Sequence, residues 1–145
     1  PCNNYHVINE KPKEEATKFF AEHRFVHCPA FQKEKIYFNS KGLNHLFYEG
    51  SMAARPSKET ETRILLLSRA LTVLKKSSFW QEEREVHHKD GVIHYWSLEA
   101  VVDERRIKVI IRQKGNGSKC FGSVRPAWRR IDGEVVHARS DLSKQ

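Results

Sequence analysis

Near residue 78 the apolar residues of this chain change their period, and that change restricts the fold more than any other feature. Before it, Ile64, Leu67, Leu71 and Leu74 recur at helical steps, with Leu66, Ala70 and Val73 widening the stripe. The spacing predicts one amphipathic helix from about Lys58 to Lys76, with its apolar face in a core. After it come four strand-like runs, 79–88, 92–102, 105–114 and 118–126. Turn signals separate them: Lys89-Asp90-Gly91, Asp103-Glu104 and Gly115-Asn116-Gly117, with Pro126 closing the ladder. Helices first and strands afterwards predict an α+β fold, with N-terminal helices packed on one face of a four-stranded antiparallel β-meander.

Upstream, residues 11–24 predict a first helix, with Pro12 near its start and Glu14 and Glu15 in the first turn. Residues 35–40 predict a short strand, and 41–50 a short helix or turn stopped by Gly50. The 145 residues suit one domain, and no run of 18 apolar residues offers a membrane-spanning helix. The first residues are polar and lack the apolar segment of a secretory signal. The chain starts at Pro1 and not at Met, so it is read as a fragment or a processed product.

Cys2, Cys28 and Cys120 are odd in number and widely spaced, which argues against a disulfide framework or a zinc ribbon and suits a reducing compartment. His23 and His27 have the spacing of two metal ligands on a helix, but no Glu follows His23 and no third ligand is in view. Surface or half-buried histidines are expected there, with no metal and no cofactor.

The net charge is +8, and its distribution is more informative than its size. Residues 105–130 hold nine Lys or Arg and no acid, while the rest of the chain, with 17 basic and 18 acidic residues, is nearly neutral. Alternation along the predicted strands sorts these cations by face. Ile107, Val109 and Ile111 face a core; Arg106, Lys108, Arg112 and Lys114 face the other way with Ile110. In the second strand His94, Trp96, Leu98 and Ala100 form the apolar set, opposite Tyr95, Ser97 and Glu99. In the last strand strict alternation puts Cys120, Gly122 and Val124 inward, and Lys119, Phe121, Ser123 and Arg125 on the open face. Cations bind phosphates and aromatic rings stack on unstacked bases, so this face is either a surface for a polyanion or simply a basic solvated face. Glu99 among the cations is either an acid–base or orienting group, or a cross-strand partner of Lys108 or Arg112.

The order of elements, together with residues 35–48, 61–74, 94–102, 108–113 and the 121–124 stretch Phe-Gly-Ser-Val, resembles the barnase/EndoU/colicin/RelE-like ribonuclease superfamily, in its phage-derived and toxin branches. The resemblance covers roughly residues 35–126. It divides the chain into a helical extension or linker (1–34), a ribonuclease-like α+β domain (35–130) and a C-terminal tail (131–145). It implies metal-independent cleavage of tRNA or other structured RNA, with the ribose 2′-hydroxyl attacking phosphorus to leave a 2′,3′-cyclic phosphate. On these positions it implies catalytic roles for His45, Lys108, Arg112, Ser123 and Glu99, and RNA contacts from Arg106, Lys114, Lys119, Phe121, Arg125 and Tyr95. It further implies a toxin acting in a bacterial cytoplasm, delivered as the C-terminal part of a larger secreted protein and met by an acidic immunity protein or antitoxin. His87 and His88, the other candidates for a second imidazole, lie beside a turn; His94 falls on the apolar face. The competing readings are a non-catalytic RNA-binding module and a basic protein-interaction domain.

Overall fold

The computed structural model describes residues 13–49, 53–54, 57–127, 129–131 and 134–136, with side chains at 13–44, 46 and 61–127. The fold is α+β. The stripe beginning at Ile64 forms two helices and not one: α3 (Ser57–Leu65) and α4 (Leu67–Lys76), broken at Leu66. Leu66 keeps near-helical angles (φ −86°, ψ −6°), and its amide is shared between the carbonyls of Thr62 and Arg63, both at 3.2 Å. Leu67, Ala70, Val73 and Leu74 of α4 are buried. They pack on the sheet face made by Trp96, Leu98, Ile107, Val109 and Ile111. Each large apolar side chain buried there contributes about 1.5–3 kcal/mol.

The meander is present, but it is part of a larger mixed sheet. Strands β5 (Glu82–His88), β6 (Gly91–Val102), β7 (Arg105–Lys114) and β8 (Lys119–Pro126) pair antiparallel in sequence order. Two further strands, β1 (Phe25–Cys28) and β2 (Glu34–Tyr37), extend it to six in the order β1-β2-β8-β7-β6-β5, with β2 parallel to β8. The expected boundary between residues 34 and 35 therefore cuts through the sheet. Val26, Cys28 and Phe31 belong to the same core as β7. A first helix, α1, covers residues 13–22. Its Phe20 meets Phe38 and Phe121 edge-on at 5.4 and 5.8 Å. His23 and His27 share no helix: His23 lies beyond α1 and packs on Phe19, while His27 is on β1, its Nδ1 2.9 Å from the Lys33 carbonyl. No His, Cys, Asp and Glu group fit for a metal occurs among the described residues.

Two more short strand pairs occur, β3 (Tyr48–Glu49) with β4 (Ala53–Ala54), and β9 (Arg129–Ile131) with β10 (Glu134–Val136). The expected boundary between residues 130 and 131 thus falls inside β9, which pairs with β10. No helix among the described residues is long and apolar enough to cross a membrane.

Strand β8 carries the largest departure from strict alternation. Ile110 pairs with Ser123 but Ile111 pairs with Phe121, leaving Gly122 as the extra residue of a β-bulge. The bulge reverses the faces of everything before it. Phe121 is fully buried in the core and Cys120 turns to the open face, the opposite of the expected placement. Beyond Cys120 strand β2 no longer pairs with β8, and helix α2 (Ser40–Phe47) covers the vacated edge. Asn39 caps α2, its Oδ1 accepting from the Gly42 amide at 3.1 Å. Gly42 presses on β8 so closely that a Cβ would stand 2.4 Å from the Phe121 carbonyl oxygen.

Candidate functional site

The face of the sheet away from α4 is built from three cross-strand rows. One runs Glu82–Ser97–Ile110–Ser123, one Glu99–Lys108–Arg125, and one Arg84–Tyr95–Arg112–Cys120–Tyr37. These rows bring together most of the expected site residues, because direct cross-strand partners share a face. A pocket of about 280 Å³ opens between them, lined by Glu82, Glu83, Arg84, Tyr95, Ser97, Lys108, Ile110 and Arg125.

The cations of β7 divide by position. Arg106 and Glu99 are almost fully buried and pair at 3.0 Å (Nη2 to Oε2). Lys108 Nζ lies 3.0 Å from Glu82 and 3.9 Å from Glu99. Glu99 is thus a partner of Arg106 and Lys108, and not of Arg112. Arg106 is enclosed in this pair, which removes it from the RNA-contacting set. Arg84 lies 4.8 Å over the Tyr95 ring. Arg125, opposite Lys108, has no ion-pair partner among the described residues. Ser123 accepts from Arg63 of α3, whose Nη1 also reaches the Val124 carbonyl at 3.4 Å.

At the other end of β7, Arg112 is only 8% exposed, and among the described residues no carboxylate pairs with it. Its Cγ and Cδ lie 3.8 and 3.7 Å from where a Cβ on Gly122 would stand, so its stem crosses β8 at the glycine. Lys41 of α2 and Lys114 are its cationic neighbours. Arg112, the lysine's own burial and Lys114 together hold the Lys41 ammonium below the usual lysine value. Cys120, paired across from Arg112, receives a hydrogen bond from Asn39 Nδ2 at 3.1 Å. Burial pushes the Cys120 thiol up, against the opposing pull of Arg112, the Asn39 hydrogen bond and Lys41. Burial likewise raises Cys28.

Two expected RNA contacts lie elsewhere. The bulge puts Phe121 in the core and Lys119 on the helix-bearing face, where its Nζ pairs with Glu34 at 3.0 Å and lies over Phe31 and Trp96 at 5.4 and 5.1 Å. The backbone of His45 lies in α2, one turn past Lys41, and its side chain falls outside the described residues. His94 is also on the helix-bearing side, stacked on Trp96 at 5.0 Å, with Glu83 at 3.4 Å and Glu85 at 3.6 Å. His87, 3.5 Å from Glu85, and His88 are exposed near the hairpin end of β5.

Lys41, Arg63, Glu82 and Arg84 join the open face without having been singled out in the sequence. Glu82 and Arg84 sit in a strand whose polar run gives no apolar alternation from which to assign faces. Lys41 and Arg63 come from helices, and only tertiary packing brings them to β8. Comparison of the chain with family models, with curated proteins and with solved structures finds no match.

Proposed function

We propose that the open sheet face binds RNA and cleaves it without a metal ion, by attack of the ribose 2′-hydroxyl on the adjacent phosphorus. The observation that carries this is the pocket in which Lys108, Arg125, Arg84 and Tyr95 converge beside a carboxylate, Glu82. Cations stabilise the crowded phosphate as charge accumulates on its oxygens. The Tyr95 ring, backed by Arg84, offers a base a stacking surface. Glu82 takes the 2′ proton, O2′ bonds to phosphorus, the bond to the 5′-oxygen breaks, and that oxygen receives a proton. The products are a 2′,3′-cyclic phosphate and a 5′-hydroxyl. Glu99, held by Arg106, orients Lys108. The leaving-group proton is assigned to His45 on the sequence resemblance, and Ser123 and Arg112 keep phosphate-contacting roles. The same resemblance supports tRNA or another structured RNA as substrate, action in a bacterial cytoplasm, and a toxin neutralised by an acidic protein.

The ion pairing of Glu82 and Glu99 with Lys108 favours a second reading, a non-catalytic RNA-binding face. Incubation of the full chain with total RNA in EDTA separates the two. Cleavage with cyclic-phosphate ends is expected, and Glu82→Gln should lower it while sparing binding. RNA left intact at neutral pH leaves only the binding reading. His45→Ala with undiminished cleavage would remove His45 from the mechanism.

A further inference from the structure

We infer that the first turn of α2, with Lys41, Arg112 and Lys114, forms a second anion site, separate from the pocket, that holds one phosphate group. Three features meet there. First, Asn39 satisfies the Gly42 amide with its side chain and the Leu43 amide with its carbonyl, both at 3.1 Å, which leaves the Ser40 and Lys41 amides at the positive end of an eight-residue helix. Second, Arg112 is more than nine-tenths buried, has no carboxylate partner among the described residues, crosses β8 at Gly122, and is the strand partner of Cys120, which Asn39 at that helix end bonds. The Arg112 guanidinium nitrogens are not among the enclosed ones, so an anion from solution can reach them and supply the missing counter-charge. Third, Lys41 lies in the first turn of that helix and Lys114 follows Arg112 on the same face of β7, both exposed, and repulsion from Arg112 and Lys114 lowers Lys41.

Arg112 and Lys108 are four residues apart on one strand, about 13 Å. One phosphate cannot bridge them, so the two sites take different phosphates. A tetrahedral oxyanion fits the donor set: two backbone amides, a planar fork and two ammonium groups. Inorganic phosphate, a terminal phosphomonoester and a bridging phosphodiester share this chemistry. The site does not depend on cleavage and stands if the protein cuts no RNA.

The test is titration of the full chain with inorganic phosphate at pH 7, followed by amide NMR shifts. Saturating shifts at Lys41 and Cys120 are expected, and they should persist in Arg125→Ala. Because Arg112 is buried, the exposed pair carries the mutational arm: Lys41→Ala with Lys114→Ala should weaken phosphate roughly tenfold or more. A tetradeoxynucleotide, which has no 2′-hydroxyl to react, then distinguishes the sources. An affinity loss in the double variant only for the 5′-phosphorylated form assigns the site to a terminal monoester, and an equal loss with and without that phosphate to a diester. Unmoved Lys41 and Cys120 amides, or a double variant that binds phosphate like the parent, overturn the proposal.

Discussion

The two ends of the open face of β7 are made of the same residue types and do opposite things. At one end Arg106 and Lys108 face Glu99 and Glu82, so their charge is answered within the protein. At the other, Arg112 and Lys114 face a helix N-terminus and another lysine, and no described carboxylate answers them. A basic strand is therefore not one uniform surface. The neighbouring strands decide which cations are structural and which remain available to a ligand.

Stability should break the comparison most visibly. Glu99→Ala leaves Arg106 buried without its partner and is expected to cost about 3–5 kcal/mol, read as a lower urea midpoint. Arg112→Met breaks no ion pair and removes the repulsion between Arg112 and Lys41, so it should hold or raise stability. If both variants lose stability to the same extent, Arg112 has a partner after all and the two ends are alike.

The position of α2 is the next lever. Gly42→Ala sets a methyl group 2.4 Å from the Phe121 carbonyl, against backbone that cannot yield without moving the helix. A loss of about 1–3 kcal/mol is expected, as for overpacking elsewhere. Phosphate binding at the α2 end should fall with it, while the Lys108 end keeps its ion pairs. Unchanged stability in this variant would mean that α2 does not press on β8 as described.

Much of this arrangement was legible in the sequence, and the parts that were not have physical causes. The α4 stripe and the hairpins of β5 to β8 follow from periodicity and turn residues, and Asp103 and Glu104 take the positive φ angles of a tight turn, 50° and 65°. Strand β1 escaped notice because it is four residues long and its connection to β2, the strand expected at 35–40, uses Gln32 and Lys33 at positive φ, 56° and 65°, where no Gly or Asn marks the turn. The Gly122 bulge is invisible to alternation, since it is a break in alternation. It misplaced Phe121 and Lys119 while leaving Ser123 and Arg125, which follow it, on the correct face. Lys41 had no signal at all, because its place beside Arg112 is set by packing between residues far apart in the chain, as with Asn39 and Cys120, 81 positions apart.

Salt sharpens the comparison further. Each cation that neutralises a single-stranded phosphate contributes about 0.7 to the slope of log affinity against log salt. Lys41→Ala with Lys114→Ala should flatten that slope for a non-cleavable oligonucleotide by about 1 or more. Lys108→Ala should flatten it less, because Lys108 is already paired with Glu82 and Glu99. Equal losses would show that the internal ion pairs open when the strand binds.

The smallest effect is in the titration of Lys41. Its ammonium is disfavoured in the folded protein chiefly by Arg112, so its folded pKa lies below its unfolded one. The penalty is fully present below the folded value and is relieved as pH rises from there toward the ordinary lysine pKa, so the Lys41 contribution to stability increases across that window. Lys41→Gln should remove this pH dependence and leave the rest of the profile intact. A phosphate bound between Lys41 and Arg112 reverses the local field and should raise the Lys41 pKa. Following the Lys41 Cε resonance against pH, with and without inorganic phosphate, gives the sign directly. An upward move with phosphate at Lys41 and none at Lys108 would locate the unanswered charge at the α2 end. A Lys41 that titrates identically in both conditions would mean that the anion is held elsewhere.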